Sequence, residues 1–214
     1  MNKMRETSTG PLRLGVLGSG KGSNFRAIAE AIGAGRLDAE VRIVVSDMAG
    51  AGILGYAREL GVRAEALPES AYKTKLEPEL EERLVGMLVE AGVELVVLAG
   101  YMRMIKAPLL EAFGGRIVNI HPSLLPAFPG LRAWKQAVEA GAKVSGCTVH
   151  WVDAGMDTGP VIAQREVPVL EGDTPESLHA RIQEAEHALY PEVLARIASG
   201  LEVSLGRRGP GPAR

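Results

Sequence analysis

Asn119 and His121 stand two residues apart in the run Ile117-Val118-Asn119-Ile120-His121-Pro122-Ser123-Leu124-Leu125-Pro126, where an apolar strand meets a proline-closed loop. Side chains two apart on a strand share a face. An amide and an imidazole can therefore enter one cleft together, where they could hold and protonate a carbonyl oxygen. A lone histidine at a strand end is more often a satisfied structural residue, but position argues otherwise here. In an open parallel sheet, ligands bind beyond the carboxyl ends of the strands, and His121 sits at such an end. Pro122, Pro126 and Pro129 stiffen the loop that follows and make it a candidate for a cis peptide. A third group lies in Val152-Asp153-Ala154-Gly155-Met156-Asp157-Thr158-Gly159-Pro160. Asp153 is expected to bond its own backbone, as loop aspartates do. Asp157 could instead cross the cleft to His121 and favour the charged ring.

These residues need a frame. Strands are expected at 12–17, 41–46, 64–67, 95–99 and 116–120. Helices are expected from Ser23 to about Gly33, at 53–60, at 78–91 and at 108–113 between them. The run Leu95-Val96-Val97-Leu98-Ala99 is apolar throughout, as parallel strands covered on both faces are. That rhythm predicts an α/β fold with a doubly wound, mostly parallel, Rossmann-like sheet. After Gly141 the pattern changes: two β-like stretches, 144–152 and 161–169, flank a loop rich in glycine and aspartate, which predicts antiparallel strands in the C-terminal part. A final helix should begin after Asp173 or Thr174, with Pro175 in its first turn and Glu176 close behind, and end near Ser199. The expected organisation is one domain over 12–205, with halves at 12–115 and 116–205. Residues 1–11 form a flexible extension and 206–214 a flexible tail of glycine, proline and arginine.

Composition narrows the function classes. With 214 residues, 46% of them hydrophobic, the chain can build one sizeable core but not two ordinary domains. Lysine and arginine number 24 against 26 acidic residues, so there is no basic surplus for nucleic acid. The single cysteine, Cys147, excludes an internal disulfide and a thiolate metal cluster, which fits a reducing cytoplasm. Set in an alternating run, it reads as a small buried hydrophobe rather than a nucleophile. The first eleven residues carry Lys3, Arg5 and Glu6 with no apolar stretch behind them, unlike a signal peptide or anchor. No run approaches membrane-spanning length.

The segment Gly18-Ser19-Gly20-Lys21-Gly22-Ser23-Asn24 falls between the first strand and first helix, where backbone N–H groups converge into an anion site. Read from Gly15 it resembles a P-loop until Gly22 replaces the magnesium-binding serine or threonine. Read from Gly18 as a dinucleotide fingerprint, its third glycine falls on Ser23. Two readings survive: a lone phosphate held by Gly22, Ser23 and Asn24, with Ser23 or Asn24 capping the helix, or a plain capped turn.

Gly20 to Asn24, the run from Asn119 to Pro126, and Asp157-Thr158-Gly159-Pro160 follow the order and approximate spacing of the phosphoribosylglycinamide formyltransferases. The chain resembles that family over nearly its whole length, the first dozen and last fifteen residues apart. The resemblance implies a formyltransferase fold and formyl transfer from 10-formyltetrahydrofolate, as co-substrate, to the amine of 5'-phosphoribosylglycinamide in purine biosynthesis. It implies that Gly22, Ser23 and Asn24 hold the substrate phosphate, with Gln183 near it and Pro122 also on the acceptor. Glu186, which alone reads as a solvated helix residue, would meet the amine. Met102, Arg103, Met104 and Ile105 would line the folate site with Asn119, Val152, Asp153 and Asp157, and Arg103 could pair with the glutamate tail. Lys75 stands where some relatives carry arginine for that tail, keeping the charge but losing the bidentate fork. Without the resemblance, Met102 and Met104 read as core fillers.

The implied catalytic trio is Asn119, His121 and Asp157. The amide and the imidazolium would each offer the oxyanion a donor worth roughly 3 kcal/mol. Neither a metal nor a covalent acyl-enzyme is called for. The implied partners are small molecules, with no nucleic acid and no membrane, for a cytoplasmic monomer or homodimer. Rivals remain. Formyltetrahydrofolate deformylase, a hydrolase, shares the run from Asn119 but is expected to be longer and to lack a Gly-Ser-Asn loop. Methionyl-tRNA formyltransferase would need a further barrel and a basic face. A non-catalytic nucleotide-binding module would leave His121 idle.

Overall fold

The apolar runs assemble into a seven-stranded sheet in a computed structural model that describes residues 10–201. The expected tail 206–214, and all of the expected extension before Gly10, lie outside the described residues. In chain order the elements are β1 (Leu12–Leu17), α1 (Ser23–Gly33), β2 (Ala39–Ser46), α2 (Gly52–Glu59), β3 (Ala64–Ala66), α3 (Pro78–Glu90) and β4 (Leu95–Leu98). There follow α4 (Ala107–Phe113), β5 (Ile117–His121), α5 (Ala133–Glu139), β6 (Val144–Trp151), β7 (Val161–Pro168) and α6 (Pro175–Ala198). The strand order is β3-β2-β1-β4-β5-β6-β7, with β1 to β5 parallel and β6 and β7 antiparallel. Winding runs outward from β1 to β3, then returns to place β4 on the other side of β1. The switch point between β1 and β4 is where such sheets bind ligands.

Strand alternation divides the core. On one face Leu14, Val16, Val97 and Val118 pack with residues of α1, α2, α5 and α6. On the other, Leu17, Val96, Leu98 and Ile117 pack with α3 and α4. Fully apolar central strands arise because both faces are covered. Tyr190 of α6, fully buried, reaches the sheet, and its hydroxyl donates to the carbonyls of Leu98 at 3.0 Å and Val118 at 3.1 Å.

Terminal chemistry sets the helix ends. Thr174 caps α6 through a reciprocal bond with Ser177, and Pro175 occupies the first turn, as expected. At α1 the expectation is corrected. Gly22 is the N-cap and no side chain bonds the first turn, so neither Ser23 nor Asn24 caps the helix. Helix α5 is absent from the sequence reading. Its seven residues follow the proline-rich loop without a side-chain cap, and only Ala133 and Ala137 are buried. Cys147 is wholly buried on β6, and burial pushes its thiol up to about 12. No described helix is long and apolar enough to cross a membrane.

Candidate functional site

Strand β5 carries Asn119 and His121 on the face that α3 and α4 cover. The apolar cluster on that face ends at Ile117, and the next two positions along the strand's face are polar. Asn119 lies opposite His150 in the antiparallel register of β5 and β6. Its Nδ2 is 3.2 Å from His150 Nε2. His150 Nδ1 sits 2.9 Å from the Trp151 carbonyl, which only accepts, so Nδ1 carries the hydrogen and Nε2 accepts from the Asn119 amide. Burial holds this imidazole below its ordinary value, which agrees with a neutral ring.

His121 obeys the same logic. Its Nε2 faces the Phe128 carbonyl at 3.0 Å and so carries a hydrogen, which leaves Nδ1 turned toward Asp157. Nδ1 is 3.4 Å from Asp157 Oδ2, and Asp157 Oδ1 is 3.8 Å from His150 Nε2. The His121 and Asp157 side chains are only 6% and 13% exposed, so their attraction acts with little screening by solvent. Asn119, His121 and Asp157 therefore meet, and His150, which sequence reasoning missed, stands among them. The one signal for His150 is the β5–β6 register, which joins residues far apart in the chain.

Two loops hold these groups. Asp157 adopts φ 55, and its Oδ2 also accepts from the Gly130 N–H at 2.8 Å. Asp153 closes its own loop as expected, accepting from the Gly155 N–H at 3.0 Å and the Thr158 hydroxyl at 2.8 Å. The loop after Pro122 contains a cis Leu125–Pro126 bond. Thr148 of β6 donates to the Ser123 carbonyl at 2.6 Å and accepts from the Leu125 N–H at 3.0 Å. Gln164 of β7 donates to the Leu125 carbonyl at 2.8 Å.

The glycine loop leads to α1 and, across it, to α6. Asn24 and Glu186 are buried, and Asn24 Nδ2 donates to Glu186 Oε2 at 3.0 Å. Glu186 is thus not the solvated residue that its position in the sequence suggests. Desolvation pushes its carboxyl up to about 7, with the Asn24 hydrogen bond pulling the other way. Gln183, one turn earlier on α6, is half-buried, as are Ser23 and Pro122. Gly22 sits at φ 81, and a Cβ there would lie 2.8 Å from the side chain of Ile53. Gly22→Ala is accordingly expected to destabilise the fold by about 2 kcal/mol, from left-handed strain plus the clash. Chemical denaturation would show this as a lower midpoint at unchanged slope.

The loop after β4 divides its residues. Met102 is 58% exposed, so it is not a core filler. Ile105 is buried in the α3 and α4 cluster, and Val152 packs against that cluster. Met104 donates its N–H to the Thr74 carbonyl at 2.8 Å and forms a β-bridge with Lys75. Lys75 is exposed, its ammonium 4.6 Å from the centre of the Tyr72 ring. Arg103 points inward. Its Nε donates to Asp47 Oδ2 at 2.6 Å, a second nitrogen bonds the Tyr72 carbonyl, and its side chain is 10% exposed.

A family model described as formyl transferase matches residues 12–194. The phosphoribosylglycinamide formyltransferase of Bacillus subtilis (strain 168) is 44% identical over 185 residues, covering 86% of this chain and 94% of that protein. The Escherichia coli (strain K12) protein of the same name is 40% identical over 185 residues and 86% of each chain. The crystal structure of glycinamide ribonucleotide transformylase 1 from Symbiobacterium toebii superposes with a TM-score of 0.88 at 49% identity over 95% of each chain. The parallel sheet with its antiparallel β6 and β7, the polar cluster at the end of β5 and these likenesses agree: the chain belongs to the formyl transferase family, among its phosphoribosylglycinamide formyltransferase members.

Proposed function

We propose that the chain transfers a formyl group from 10-formyltetrahydrofolate to the amine of 5'-phosphoribosylglycinamide, in the cytoplasm, as a step of purine biosynthesis. The observation that carries this reading is the meeting of Asn119, His121 and Asp157 at the carboxyl end of β5 in a member of this family. The neutral amine attacks the formyl carbon, and negative charge collects on the former carbonyl oxygen. The Asn119 amide and the Nδ1–H of charged His121 stabilise that oxyanion, while Asp157 balances the imidazolium. Collapse breaks the bond from the formyl carbon to the folate nitrogen. The proton lost by the amine reaches that nitrogen through Asp157, and formylglycinamide ribonucleotide and tetrahydrofolate leave.

On the acceptor side, Gly22, Ser23 and Asn24 with Gln183 hold the phosphate, and Pro122 and Glu186 complete the site around the amine. On the donor side, the backbone of Met102, Arg103, Met104 and Ile105, with the exposed Met102 side chain, lines the pterin site along with Val152 and Asp153, and Lys75 takes the tail carboxylate. Burial of Glu186 beside Asn24 supports the acceptor assignment, because a buried carboxyl needs a cationic or donor partner. Tetrahydrofolate release, measured with and without phosphoribosylglycinamide, tests the reading. Release that requires the acceptor, with formylglycinamide ribonucleotide appearing in equal amount, is expected. Equal release without acceptor would make the chain a hydrolase, and no release a binding module.

A further inference from the structure

Asp47 lies just past the end of β2, on neither substrate loop, and its side chain is only 4% exposed. Both carboxylate oxygens are engaged. Oδ1 accepts from the Ser19 hydroxyl at 2.5 Å and Oδ2 from Arg103 Nε at 2.6 Å. Ser19 belongs to the glycine loop after β1, and Arg103 to the loop after β4. The Ser19 hydroxyl oxygen also accepts from the Met102 N–H at 2.9 Å, and the Ser19 N–H donates to the Gly100 carbonyl at 3.0 Å. Arg103 extends the chain of bonds to Tyr72, and Met104 bonds Thr74 beside Lys75. Three loops at the switch point thus converge on one buried carboxylate.

We propose that Asp47 is a positioning residue that couples the two substrate sites: through Ser19 and Arg103 it ties the glycine loop to the 100–105 loop, so that ordering either loop orders the other. The inference rests on the assignment of phosphate to the first loop and folate to the second. Short charge-assisted bonds are the strong ones, and a rigid link shared by two sites makes the second ligand cheaper to order than the first. Asp47 touches neither substrate in this scheme. Its loss changes how much one ligand helps the other, rather than the chemical step.

The test is a binding cycle on the intact protein with phosphoribosylglycinamide and tetrahydrofolate, which together do not react. Calorimetric titration gives the dissociation constant of each ligand alone and with the other saturating. In the wild type, each is expected to tighten the other by about fivefold or more, equally in both directions. Asp47→Asn removes the charge opposite Arg103, and the factor should fall to about one. Because that change strands a buried guanidinium and lowers stability, Ser19→Ala is the second variant. It cuts the Asp47 bond to the glycine loop, together with the Met102 N–H bond to the same hydroxyl, leaves the Asp47–Arg103 pair intact, and should abolish coupling with little change in melting temperature. If the wild type shows no coupling, or if both variants keep it while only stability falls, Asp47 is merely structural and the proposal is wrong. Failure of the wild type to bind either ligand alone would instead remove the assignment of the loops, and this inference with it.

Discussion

Asp157→Asn is expected to lower kcat by about two to three orders of magnitude while shifting the dissociation constant of either substrate by less than about threefold. The substitution keeps the shape. One carboxylate oxygen now serves both the Gly130 N–H and His121 Nδ1, and an amide oxygen in its place can accept from the same two donors. What disappears is the charge. With His121 almost fully buried, the carboxylate is its close counter-ion, since His150 is neutral and Asn119 carries none. Without it an imidazolium formed at His121 has no counter-charge, and the oxyanion donor is no longer balanced. His121→Ala removes the donor outright and should cost about a thousandfold in kcat. Rapid-quench measurement of a single turnover separates the chemical step from product release. Near-normal single-turnover rates in either variant, with both substrates bound, would falsify the assignment.

The frame of this site was legible because its signals are local. Five parallel strands, their helices and the β6–β7 hairpin follow from apolar runs, periodicity and turn residues, each contained in a dozen positions. The same locality explains the misses. Helix α5 is two turns long behind a proline-rich loop, too short for a periodic stripe to stand out. His150 is one buried position in an alternating strand, and its relation to Asn119 exists only once β5 and β6 are paired antiparallel. Asp47 resembled any polar residue after a strand. Only the doubly wound order, which brings the ends of β2, β1 and β4 together, gives it partners 28 and 56 residues away. Asn119, His121 and Asp157 could be singled out as side chains, but a linear sequence carries no distance between His121 and Asp157. Gly22 was legible for an incomplete reason. Glycine was read as backbone exposed to an anion, whereas the residue is also required by a left-handed turn pressed against Ile53.

Glu186 was misread as solvated for a related reason: α6 packs against α1 on one side and the sheet on another, so little of it faces water. Its burial has opposite effects on stability and function, and Glu186→Gln should separate them. The ordinary carboxyl value of 4.5 is raised to about 7 in the folded chain, with desolvation the dominant cause. Between those values the folded state binds more protons than the unfolded one, so stability must fall as pH rises through that window and stay low above it. The shift corresponds to about 3 kcal/mol, a loss complete by about pH 8 in the absence of substrate. The glutamine keeps an oxygen for Asn24 Nδ2 but cannot ionise. At pH 8 the variant should therefore melt about 6–10 °C above the wild type, and the difference should vanish near pH 4. Function should move the other way. The ionised carboxylate is the proposed partner of the substrate amine, so the variant's KM for phosphoribosylglycinamide should rise about tenfold with the folate KM unchanged. Melting curves at several pH values and initial rates with each substrate varied provide both readouts. A variant no more stable than wild type at pH 8 would mean that the carboxyl is not held in a desolvated state. An unchanged acceptor KM would remove Glu186 from the acceptor site.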